Sequence, residues 1–201
     1  NWTELVQRIA AAPEVNGEHL TAASGNSSET AKTHMLLQHY RTKRLDQLGQ
    51  PASARVLRKI HGEWRRVVQT ALYQGVPRDA QALADAHPYL ASLIPVVART
   101  PMTVTDNFGD MAERLLHLEK GPRQGQYGRR FETIWDAALQ SRRGVSVIYH
   151  PNGYLPSNLL EHPSEHLVFS EDSFADQLIE SMAGHHAPLL HHLARTTCCF
   201  I

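Results

Sequence analysis

The sequence predicts an α/β fold: a parallel sheet flanked by helices, with a helix-rich layer contributed by the first hundred residues. Apolar residues recur at helical spacing through most of residues 29–98. Two short apolar runs, Met102-Thr103-Val104 and Val145-Ser146-Val147-Ile148, read as strands. Helical patterns lie between the short strands, the alternation that builds a parallel sheet. Each run then breaks into polar residues and glycine. The first leads into Thr105-Asp106-Asn107-Phe108-Gly109-Asp110, the second into Tyr149-His150-Pro151-Asn152-Gly153-Tyr154-Leu155-Pro156. In an open parallel sheet, ligands sit in the crevice beyond the carboxyl ends of the strands, so two such endings can face one pocket.

Taken in order, Asn1 and Glu4 have the spacing of an N-cap and its reciprocal partner. Leu5, Val6 and Ile9 then mark one face of a helix stopped by Pro13. Asn16 to Ser28 is rich in Gly, Ser, Asn and Thr and reads as a loop. A long helix follows from Glu29, with Met35, Leu36, Tyr40, Leu45 and Leu48 inward and Gly49 closing it. Pro51 suits the first turn of the next helix, where Leu57, Ile60, Trp64, Val67, Val68 and Leu72 recur. Asp79 caps a third helix through Ala86, and Pro88 opens a fourth to about Ala98. Strand Met102 to Thr105 precedes the first polar stretch and a helix burying Met111, Ala112, Leu115 and Leu116. Gly121, Pro122, Gly125 and Gly128 make a connection, and Phe131 to Gln140 reads as helix. Strand Val145 to Tyr149 enters the second stretch. Leu167-Val168-Phe169 reads as a short strand, Ser170 and Ser173 start an acidic-capped helix through Met182, and a last helix covers Pro188 to Ala194.

The totals suit one domain over 1–201, with 29–98 a helical subdomain or insertion within it. Twenty Lys and Arg balance twenty Asp and Glu, which gives no support for a nucleic-acid or membrane surface. The basic residues Arg58, Lys59, Arg65 and Arg66 read first as a solvated helix face, with nucleic acid the alternative. No apolar run approaches the ~20 residues that span a bilayer. Cys198 and Cys199 are adjacent, and no Cys-x-x-Cys pair is present, so a reducing, cytoplasmic home is expected and the two N-glycosylation sequons are chance matches. Among thirteen histidines, the group His185, His186, His191 and His192 has the wrong spacing for a helical zinc pair. His162 and His166 have the right spacing but enclose Pro163, so no metal is expected.

The two polar stretches resemble those of the SIR2-like domains, chiefly the bacterial NAD-consuming branch found in anti-phage defence systems. Thr105 to Glu113 is similar to that family's Thr-x-Asn-aromatic-Asp-x-x-x-Glu stretch, and Tyr149 to Pro156 to its Tyr-His-x-His-Gly-Tyr-Leu-Pro stretch. Leu167 to Phe174 is similar to Leu-Val-Phe-Ser-Glu-Asp-x-Tyr, Trp2 to Leu5 to the Trp-x-x-Leu after the first glycine-rich loop, and Cys199-Phe200-Ile201 to the strand before a Gly-x-Ser loop. The likeness spans nearly the whole chain in order and spacing. It implies a Rossmann-like sheet, NAD as substrate or ligand, a homo-oligomer, and a fused or associated sensor. Any nucleic acid would come through that partner, and no membrane is involved. The family's two phosphate-binding loops would fall before Asn1 and after Ile201. Lacking zinc cysteines, the chain is not expected to deacetylate lysine.

The family cleaves the bond between nicotinamide and ribose, through an oxocarbenium-like transition state. By resemblance, Asn107 orients the water or a ribose hydroxyl, and Thr105, Phe108, Asp110 and Gly153 border the cofactor. Two positions depart from the pattern: Gly109 stands where Asp is usual, and Asn152 stands where the family has its basic His. An amide cannot take a proton at neutral pH, so activity is expected to fall steeply. His150, two residues earlier, is either a substitute base or a packed strand-end histidine. Asn107 is either a pocket residue or a turn residue. Two functions therefore stand: an NAD-hydrolysing effector, and an inactive module for nucleotide binding or oligomer scaffolding.

Overall fold

The computed structural model describes residues 1–120, 131–136, 145–158, 163–165, 167–184 and 186–196. Among them the order is α1 (Trp2–Ala11), α2 (Glu18–Ala23), α3 (Glu29–Leu48), α4 (Ala54–Leu72), α5 (Ala80–Ala86), α6 (Pro88–Val97), β1 (Met102–Val104), α7 (Met111–Lys120), β2 (Phe131–Ile134), β3 (Ser146–Tyr149), α8 (Glu171–Met182) and α9 (Ala187–Arg195). The architecture is mixed α/β. Its sheet is small: three parallel strands in the order β1-β3-β2. Among the described residues no helix is long and apolar enough to cross a membrane.

Side-chain caps start most of the longer helices. Asn1, Ser28, Ser53, Asp79 and Ser170 each accept a bond from a backbone N–H in the first turn of α1, α3, α4, α5 and α8. Each such cap contributes roughly 1 kcal/mol. Gly49 ends α3 in the left-handed conformation, φ 59°.

Four sequence expectations need correction. The loop over Asn16 to Ser28 contains α2, a helix with no side-chain cap and no buried residue of its own; Leu20 packs it against the core between α1 and α3. Pro51 does not open α4, because the Ser53 hydroxyl accepts from Val56 N–H and sets the start at Ala54. The helix read over Phe131 to Gln140 is instead β2 at Phe131–Ile134, in register with β3; residues 137–140 lie outside the described residues. Phe131 and Ile134 share helical spacing, but the ladder with β3 overrides it. Leu167-Val168-Phe169 joins no strand. Val168 N–H reaches the Asn152 carbonyl at 2.8 Å, and Phe169 N–H reaches Ser173 Oγ at 2.9 Å. The glycine connection at 121–128, His162, His166, His185 and Cys198 to Ile201 also lie outside the described residues.

The core explains where the polar stretches sit. Ile9, Leu36, Ile60 and Val68 are fully buried where α1, α3 and α4 meet, and Phe108, Leu155 and Phe169 join the same cluster. A second cluster packs Leu83 of α5 and Ile94 of α6 against Leu115 and Leu116 of α7 and Ile148 of β3. The helices of residues 29–98 are thus divided between two cores. A fully buried Leu or Ile contributes about 1.5–3 kcal/mol, so both polar stretches are anchored by apolar residues at their own centres.

Candidate functional site

β1 and β3 lie side by side with Val104 opposite Tyr149, so their carboxyl ends are adjacent. Thr105 N–H extends the ladder by donating to the Tyr149 carbonyl at 2.9 Å. The two polar stretches therefore leave the sheet together. They touch again further out, where Asn152 Nδ2 lies 3.5 Å from the Asp106 carbonyl and Leu155 N–H donates to the Phe108 carbonyl at 2.8 Å.

Asn107 is exposed at the rim. Its backbone N–H and its Nδ2 donate to Thr105 Oγ1, at 3.2 and 3.4 Å. Among the described residues its Oδ1 has no hydrogen-bond partner. Thr105, Asn107, Phe108 and Gly109 border a cavity of about 360 Å³ closed by the N-terminal end of α1 and the residues following α4. Asn152 and Gly153 do not line it. A larger cavity, about 1440 Å³, lies among α1, α3 and α4; none of its lining residues belongs to either polar stretch, and its wall carries the ion pairs Arg8–Glu4 and Arg44–Glu63.

Beneath the rim the second stretch is closed. His150 is 0% exposed. Its Nδ1 lies 2.6 Å from the Asn107 carbonyl and its Nε2 2.8 Å from Glu113 Oε1 on α7. A carbonyl only accepts, so Nδ1 is the donor there and Nε2 faces the carboxyl. Thr133 Oγ1 on β2 donates to the same Glu113 oxygen at 3.2 Å, while Oε2 is buried without a partner among the described residues. Both ring nitrogens are committed within the fold.

Asn152 is 8% exposed, and its Oδ1 accepts from Gln177 Nε2 of α8 at 3.2 Å. Gly153 turns the chain at φ 101°, a backbone region that disfavours other residues, and its N–H donates to the His150 carbonyl at 3.1 Å.

Asp110 and Phe108 are in place but occupied. Asp110 Oδ2 accepts from Ser157 N–H at 2.9 Å and Ser157 Oγ at 2.6 Å, and its Oδ1 lies 2.8 Å from the Tyr73 hydroxyl. That hydroxyl accepts from Asp110 N–H at 2.9 Å, and its one hydrogen serves either Oδ1 or the Leu155 carbonyl, also at 2.8 Å. Burial raises the Tyr73 phenol well above its ordinary range, and the Asp110 carboxylate adds to the rise. Phe108 stacks into a cluster with Trp2 and Phe169, ring centroids 5.4–5.9 Å from its own. Gly109 has a packing reason: a Cβ there would come within 3.2 Å of the Tyr73 hydroxyl.

Sequence reasoning missed Tyr73 and Gln177, which reach the loops from 37 and 25 residues away and share no pattern with them. Glu113 stood inside the first quoted motif, but nothing in its spacing announced a bond to His150. Among the described residues, no three His, Cys, Asp or Glu side chains gather as a metal site. Comparison with protein-family models, curated proteins and solved structures finds no match for this chain.

Proposed function

We propose that this chain is a SIR2-like, Rossmann-like domain that binds NAD⁺ where its two polar stretches meet, with cleavage of the nicotinamide–ribose bond as its reaction class and anti-phage defence as its setting. The observation that carries the reading is the adjacency of the stretches. They leave neighbouring parallel strands together and touch at Asn152 and Asp106. This is where an open parallel sheet receives a nucleotide. The unpartnered Oδ1 of Asn107 can accept from a ribose hydroxyl or from a water held near the anomeric carbon. Asn107 borders the cavity, and Thr105 holds its amide.

A specific observation favours the second reading, a module that binds without efficient turnover. The base expected at position 152 is an amide, and the neighbouring imidazole has no nitrogen left for a ribose hydroxyl. A homo-oligomer and a sensor partner belong to the proposal. Leu178, Ile179 and Met182 stand exposed on α8 and are apolar surface that an assembly would cover.

The test is calorimetric NAD⁺ binding and NAD⁺ consumption by the protein carrying this chain. Binding without consumption, weakened by Asn107→Ala, is expected, and turnover appearing in Asn152→His would show that only the base is missing. Steady NAD⁺ loss in the unaltered protein would restore the effector reading. No binding in either form would sink both.

A further inference from the structure

One face of α4 is built differently from the rest of the surface. Arg58, Lys59, Arg65 and Arg66 fall on it two turns apart, and together with Leu155 and Pro156 of the second polar stretch they line a cleft of about 520 Å³. Arg58, Lys59 and Arg66 are exposed and make no hydrogen bond or ion pair among the described residues. Arg65 is tethered to the Ser164 carbonyl. Among the described residues the one carboxylate in the lining, Glu63, is held by Arg44 at 2.8 Å. Like charges crowded on a helix repel.

A second observation comes from Gly62, at the middle of the same face. Glycine within a helix is destabilising, and is usually explained by close packing. Here, among the described residues, a Cβ would meet only Arg65 Nη2, at 3.9 Å. Among the described residues the missing side chain admits nothing from the fold. What it does is keep the floor of the cleft open between the cations.

We propose that this cleft is a binding site for a compact phosphate-bearing ligand, seated over Gly62 and held by Arg58, Lys59 and Arg66. Guanidinium groups pair with phosphate oxygens in a fork, and lysine adds a point charge. The volume is that of a small-molecule pocket. Charge balance over the whole chain argues against a long nucleic-acid track, which needs a basic field rather than a local cluster. The cleft shares no lining residue with the cavity at Asn107, and the inference stands independently of the NAD⁺ reading.

The probe is inorganic tripolyphosphate, titrated calorimetrically into the protein without divalent cations. Saturable binding is expected, weakening as salt rises. The double variant Arg58→Ala/Arg66→Ala should weaken it by roughly tenfold or more. Gly62→Gln fills the floor with a good helix former and should abolish binding while thermal stability holds or rises. Asn107→Ala should leave binding unchanged. An absence of saturable binding, or binding indifferent to these cations, would overturn the site. Tighter capture of a single-stranded oligonucleotide longer than the cleft, on the same cations, would overturn the compact ligand in favour of nucleic acid.

Discussion

The two polar stretches leave the same edge of the sheet, yet they are built to opposite rules. The second is sunk into the fold: His150 is 0% exposed, with Glu113 and the Asn107 carbonyl on its two nitrogens. The first presents its Asn107 carboxamide to solvent, tied down among the described residues only by Thr105 Oγ1. One is a packed floor under the strand ends, with no residue on the cavity at Asn107, and the other is that cavity's polar rim.

The largest effect that separates floor from rim is expected at His150. His150→Ala leaves Glu113 buried with neither oxygen supported by the ring, a loss of about 3–5 kcal/mol in chemical denaturation. A loss below ~1 kcal/mol would mean that the pair is not structural.

Tyr73→Phe should cost about 1–3 kcal/mol, because Asp110 N–H and Oδ1 both lose a partner. The same variant sharpens the pH dependence. With its phenol raised by burial, the folded protein keeps a proton that the unfolded chain releases above about pH 10. The stability from this hydroxyl is therefore full below that pH and drains as the pH climbs. Denaturation midpoints should fall above about pH 10 in the unaltered protein and less steeply in Tyr73→Phe.

At Gly153, replacement by Ala meets a backbone at φ 101° and should cost roughly 1–2 kcal/mol, read as a lowered thermal midpoint. The smallest effect belongs to the rim: Asn107→Ala should stay within about 0.5 kcal/mol of the unaltered stability while weakening NAD⁺ binding. A large stability loss there would make Asn107 a turn residue and erase the contrast.

Local chemistry made much of this legible in advance. Asn1, Asp79 and Ser170 cap helices through bonds to residues three positions on, so their role is written next to them. Strands β1 and β3 announced themselves by apolar runs ending in glycine-bearing loops. The misreadings have long-range causes. Phe131 and Ile134 carry a helical spacing that only pairing with β3 overrides. α2 has no cap of its own and depends on neighbouring helices. At the candidate site, the sequence named Asn107, His150 and Asn152. It could not show that His150 is already spent on Glu113, because that bond joins a strand end to a helix 37 residues earlier.

α4 grips its surroundings at successive turns of its length. Arg65 holds the Ser164 carbonyl, Gln69 the Pro156 carbonyl, and Tyr73, just past its end, joins Asp110 to Leu155. The helix works as a tie-rod: one straight element fastens the end of the first stretch, at Asp110, and the end of the second, at Leu155 and Pro156.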